Sequence, residues 1–120
     1  MTESVLEALR AMRPPYALYE ADLHRMVAER LAECGFVFQH EATVSRGCRI
    51  DYLVGDVGVE IKKGKPRPTD LQKQLSRYAQ SESVRSLIVL SWCSVDLPER
   101  INGKPVHALA LSQLWGVSLP

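Results

Sequence analysis

Cysteine is scarce in this chain: Cys34, Cys48 and Cys93 are widely spaced, odd in number and contain no Cys-x-x-Cys pair. That pattern excludes a disulfide framework and a zinc site, and it fits thiols kept reduced in the cytoplasm. Long apolar runs are missing too. None approaches the roughly 20 residues needed to cross a bilayer, so no spanning helix is expected. No secretory leader pattern opens the sequence, and a cytoplasmic protein without membrane association is the expectation. The net charge is only +1, so no overall excess of cations advertises a polyanionic partner. Repeats, low-complexity tracts and long linkers are absent. What is present is 120 residues, 46% apolar and 24% charged, sufficient for one globular domain.

Hydrophobic periodicity divides the chain into helices and strands. Thr2–Arg13 carries Val5, Leu6, Leu9 and Met12 at helical spacing and is ended by Pro14-Pro15. A second helix is expected from about Tyr16 to Cys34, with Gly35 as its C′ residue and Leu23, Val27, Leu31 and Cys34 as its apolar stripe. Phe36–Val44 reads as a strand. Thr69-Asp-Leu-Gln72 reads as a capping box opening a helix to about Gln80. The near-continuous apolar run Ser86–Trp92 predicts a buried central strand, Val106–Leu111 a last strand, and Ser112–Trp115 a final helical turn. The order predicts an α/β fold: one mixed central sheet flanked by helices.

The stretch Arg49–Lys62 (RIDYLVGDVGVEIK) is the most informative. Two β-rich runs flank Gly55-Asp56, which suits a two-residue hairpin turn. With that turn, Val54 faces Val57, Leu53 faces Gly58, Tyr52 faces Val59 and Asp51 faces Glu60. Ile50, Tyr52, Val54, Val57, Val59 and Ile61 then line one face, while Asp51, Glu60 and Lys62 share the other. Opposed carboxylates repel each other unless a cation sits between them. Mg²⁺ is held by one or two carboxylates plus substrate phosphate oxygens, so the pattern points to a metal-dependent phosphodiester-cleaving centre. A four-residue loop would offset the acids, and a three- or five-residue loop would separate them.

Charge distribution supports that reading. Residues 1–41 hold seven acidic and four basic side chains, a net of −3. Lys62, Lys63, Lys65, Arg67, Lys73 and Arg77 face only Asp70 across residues 62–77, a net of +5. This basic block begins at the carboxylate pair, where a phosphate backbone would lie. Taken without the carboxylates, it would be an ordinary solvated loop and helix face.

Asp51, eight residues, then Glu60-Ile61-Lys62 resembles the core of the PD-(D/E)XK nuclease superfamily, with Ile50 in place of the proline. Gln74-Leu-Ser-Arg-Tyr78 resembles the Q-x-x-x-Y motif of its RecB-like members, and the flow of motifs is similar to that of small phage-encoded nucleases. The resemblance implies a restriction-endonuclease-like αβββαβ core over residues 16–92. Residues 1–15 would form a helical extension and residues 93–120 a C-terminal strand and turn. It implies Mg²⁺ or Mn²⁺ on Asp51, Glu60 and the Ile61 carbonyl, with Lys62 orienting or deprotonating water. Gln74 and Tyr78 would line a DNA groove.

Glu20 falls in the apolar stripe of the second helix, where the superfamily often places a glutamate, and is expected to reach the metal directly or through water; the alternative is a helix-end charge stabilised by the N-terminal dipole. Glu29 falls on the opposite, solvated face. Arg49 is expected to bind phosphate or brace Glu60, and Lys63, Lys65, Lys73 and Arg77 to attract the nucleic acid. Glu41 is a reserve metal ligand. His24 is at most an outer contact of Glu20, and the histidines receive no metal role. The expected partner is DNA, with RNA left open, and a homodimer could form through the apolar face of Thr2–Arg13. A nuclease-like fold used only for binding is the alternative function.

Overall fold

The computed structural model describes residues 1–12 and 19–114. The chain runs α1 (Thr2–Arg10), α2 (Glu20–Glu33), β1 (Phe38–Ser45), β2 (Cys48–Val54), β3 (Val57–Lys62), α3 (Pro68–Ala79), β4 (Ser86–Ser91), β5 (Arg100–Ile101), β6 (Lys104–Ala110) and α4 (Leu111–Leu114). The strands form one mixed sheet in the order β1-β2-β3-β4-β6-β5. The β1–β2, β2–β3 and β5–β6 pairs are antiparallel, and β4 runs parallel to both β3 and β6. The α/β class with a mixed sheet is therefore the observed architecture.

Two apolar layers hold the sheet. On one face Val5, Leu6 and Leu9 of α1 and Leu23, Val27 and Leu31 of α2 pack with Tyr52, Val54, Val57, Val59 and Ile61. On the other, Leu71, Leu75 and Tyr78 of α3 pack with Ile50, Leu87 and Val89. Every residue of β4 is buried, as an unbroken apolar run in a central parallel strand requires. Gly58 of β3 admits no side chain: a Cβ there would stand 2.5 Å from Cδ1 of fully buried Ile50 and 3.1 Å from Cδ2 of Leu87.

Several expectations need correction. The apolar face of α1 is spent on the chain's own core, and Thr2 Oγ1 lies 2.7 Å from Ser86 Oγ of β4, so this face is not left over for a second copy. Helix α3 begins one residue before the expected capping box, with Arg67 as N-cap and Pro68 at N1, because proline's fixed φ already suits the first helical position. Cys34 is exposed rather than part of the α2 stripe. Strand β5 is an addition to the expected set, although Asn102-Gly103, both at positive φ, is a strong hairpin signal. Arg13, Pro14-Pro15, Tyr16 and Trp115 lie outside the described residues. Among the described residues, no helix is long and apolar enough to cross a membrane.

Candidate active site

The hairpin turn is the two-residue Gly55-Asp56 loop, and the register is Val54↔Val57, Leu53↔Gly58 and Tyr52↔Val59, as the sequence predicts. There the ladder stops. In its place Asp51 Oδ2 accepts the Ile61 N–H at 2.7 Å, and Glu60 Oε1 accepts the Asp51 N–H at 3.2 Å. The two carboxylates thus stand in the gap between the strands, each bonded to the opposite backbone. Lys62 Nζ is 3.2 Å from Glu60 Oε2. Among the described residues, Asp51 Oδ1 is left without a protein partner.

Packing explains why the strands part. Strand β3 stays paired with β4 through Lys62↔Ser91, while the start of β2 leaves it. Strict alternation places Ile50 on the Tyr52 face, yet it packs with Leu71, Leu75 and Tyr78 on the α3 side. The neighbouring strand turns with it: Glu41 of β1, between the pairs His40↔Tyr52 and Ala42↔Ile50, has φ 53°. A side-chain pattern of period two cannot anticipate such a twist.

Burial makes the pair electrostatically tense. Glu60 is only 3% exposed. Burial first, and the Asp51 charge second, push its carboxyl from 4.5 up to about 7, against the opposing pull of Lys62 and the Asp51 N–H. Glu60 is therefore poised between its two protonation states near neutral pH. Burial, followed by the charges of Glu60 and Asp51, also raises the Tyr78 phenol, which keeps its proton.

A cleft of about 300 Å³ reaches the pair through Lys62 rather than through the carboxylates themselves, and is lined by Gly47, Arg49 and Lys62 and by Asp70, Gln74, Arg77 and Tyr78 of α3. Gln74 Nε2 donates to Tyr78 Oη at 2.9 Å, and that hydroxyl donates to the Arg49 carbonyl, also at 2.9 Å. Tyr78 is 2% exposed. Its hydroxyl ties α3 to β2 beside Asp51, since a buried hydroxyl must bond what lies next to it. Gln74, Arg77 and Tyr78 all line the cleft. Arg49 lines it too, but its guanidinium is 3.7 Å from Glu41 rather than against Glu60. Lys73 is exposed on α3, Lys63 lies 5.4 Å from the Tyr19 ring centroid, and Lys65 borders a neighbouring recess with Asp96.

Glu20 is not buried at the head of the α2 stripe. It is the exposed first residue of the helix and lines a second recess with His24, His40, Glu41 and Tyr52. The helix starts there because the Asp22 carboxylate accepts the Tyr19 N–H at 3.1 Å. Among the described residues, no three His, Cys, Asp or Glu side chains converge as a ready-made metal cage. Glu20 and Glu41 therefore do not join Asp51 and Glu60 in a single cluster. Sequence reasoning missed His40, which stacks on Tyr52 at 4.7 Å and 20°. Nothing in a lone histidine signals the register His40↔Tyr52, which depends on how β1 meets β2.

No protein-family model matches this chain, nor does any curated protein or solved structure.

Proposed function

We propose that the protein is a divalent-metal-dependent nuclease acting on DNA, with a centre of the PD-(D/E)XK kind in a restriction-endonuclease-like core. One observation carries the reading: the carboxylates of Asp51 and Glu60 meet where the β2–β3 ladder opens, with Lys62 3.2 Å from Glu60 and a basic cleft alongside. The pair suits a hard cation. Among the described residues Asp51 Oδ1 has no protein bond, and the Glu60 carboxyl, raised by burial first and by the Asp51 charge second, is a group whose ionised form a bound cation would favour. Mg²⁺ or Mn²⁺ held by Asp51 and Glu60, with the Ile61 carbonyl, would acidify a water and neutralise charge on the phosphate.

Lys62 has two duties in this scheme. It pairs with Glu60 in the resting protein and offsets part of the cost of burying that carboxyl, and with a cation on the carboxylate its ammonium is free for the attacking water or the phosphate oxygens. Arg49, Gln74 and Arg77 line the side where the backbone would run, and Tyr78 holds β2 and Gln74 in place. Lys63, Lys65 and Lys73 add attraction at longer range. Glu20, at the start of α2, would act through water rather than as a buried ligand.

The test is cleavage of labelled single-stranded, duplex, flapped and four-way-junction DNA with Mg²⁺, Mn²⁺ or EDTA. Lys62→Ala should fold normally and lose about 100-fold to 1000-fold in rate, the usual consequence of removing one charge-stabilising group. Glu60→Ala should be inactive. Undiminished cleavage by both variants would remove this site; metal-independent binding without cleavage would leave a binding module.

A further inference from the structure

The recess on the α2 side enters the chemistry above only through Glu20, and it borders the same segment. Arg49 lines the basic cleft, Tyr52 lines the recess, and Asp51 lies between them in the chain. Helices α2 and α3 cover opposite faces of the sheet, so the two hollows open on opposite sides of the parted hairpin. Lys63 beside Tyr19 brings the start of α2 to the C-terminal end of β3, just past Lys62. We infer, on the nuclease reading, that the DNA strand is unpaired where it crosses this site and that one of its bases stacks on His40.

The shelf is rigid. Tyr52 is 1% exposed, its hydroxyl donates to the His24 carbonyl at 2.8 Å, and Phe38 meets its ring edge-on at 5.7 Å. His40 lies nearly flat on this support and is itself exposed, and among the described residues no ring stacks on the face turned away from Tyr52. The His24 ring stands 5.9 Å away at 57° and forms a side wall. The recess measures about 600 Å³, within the range that suits a small organic ring system. Its charge is less attractive to phosphate than that of the cleft: Arg25 is the one Lys or Arg among its described lining residues, beside Glu20 and Glu41, whereas Arg49, Lys62 and Arg77 line the cleft. The two hollows meet where the Arg49 guanidinium stands 3.7 Å from Glu41. Aromatic faces beside a cationic track are how unpaired strands are held without sequence preference. A base inside a duplex has both faces covered by its neighbours and cannot offer one to His40.

The measurement is fluorescence anisotropy with Ca²⁺ present, using a short labelled single strand, the same strand made wholly abasic, and the blunt duplex. His40→Ala should weaken binding of the ordinary strand at least about fivefold, the lower end for one stacked base. His40→Phe, which keeps a flat ring but no nitrogen, should stay within about twofold of the parent. Neither change should alter binding of the abasic strand or the duplex. Wild-type affinity in His40→Ala overturns the inference. So does an equal loss in His40→Phe, which would make the imidazole nitrogens the working group. If the parent protein binds none of the three DNAs, the nuclease reading itself falls and takes this inference with it.

Discussion

At its turn the β2–β3 hairpin is held by a regular backbone ladder ending at Tyr52↔Val59; one residue further on, the same strands are joined only through the side chains of Asp51 and Glu60. The turn end is apolar and closed, with Val54, Val57 and Val59 fully buried. The open end holds two carboxylates, a lysine and the mouth of a basic cleft. A backbone amide satisfied by a carboxylate keeps the strand in place while aiming a charge into the gap. On the nuclease reading, chemistry is concentrated where the fold gives up main-chain pairing, and the neighbouring ladder supplies the rigidity.

Three changes would sharpen this contrast, beginning with the largest. The folded protein holds the Glu60 proton up to about pH 7, whereas an unfolded carboxyl loses it near 4.5. The associated stability is complete below pH 4.5, declines as the pH rises toward 7 and is gone above it. Glu60→Gln cannot ionise, so it should lose that pH dependence and exceed the parent at pH 8 by up to about 3 kcal/mol in metal-free denaturant titrations. An unchanged pH profile would mean that Lys62 already compensates the buried charge. At the closed end, Gly58→Ala should cost about 2 kcal/mol through the clash with Ile50. Adding Ile50→Val, which removes the obstructing Cδ1, should restore part of it. The smallest effect is expected for Tyr78→Phe, about 1 kcal/mol from the Arg49 carbonyl and Gln74 amide losing a shared partner. Its signature is local. Hydrogen exchange at Ile61 should quicken while Val57 and Val59 keep their protection, and uniform acceleration would contradict a separate open end.

Much of this is legible in the residues alone. The Gly55-Asp56 turn, the pairing of Tyr52 with Val59, the meeting of Asp51 with Glu60 and the buried central strand all follow from local turn chemistry and period-two alternation. Other features are illegible for definite reasons. The face swap of Ile50 depends on a twist at Glu41, a residue type that seldom adopts positive φ. Q-x-x-x-Y spacing places Gln74 and Tyr78 on one helix face, and both line the cleft, but spacing is silent on the bond that the Tyr78 hydroxyl makes to the Arg49 carbonyl. Glu20 looks buried because a helical wheel has no ends, whereas the real helix starts at that residue.

By itself the sequence determined the α/β class, the hairpin and the identity of the acid–acid–lysine set, because these depend on residue types close together in the chain. Tertiary structure alone decided that β2 would part from β3 at Asp51, that α1 would be consumed by the core, and that His40 would lie on Tyr52. Each of those outcomes is a competition between distant surfaces for the same buried space, which no local pattern encodes.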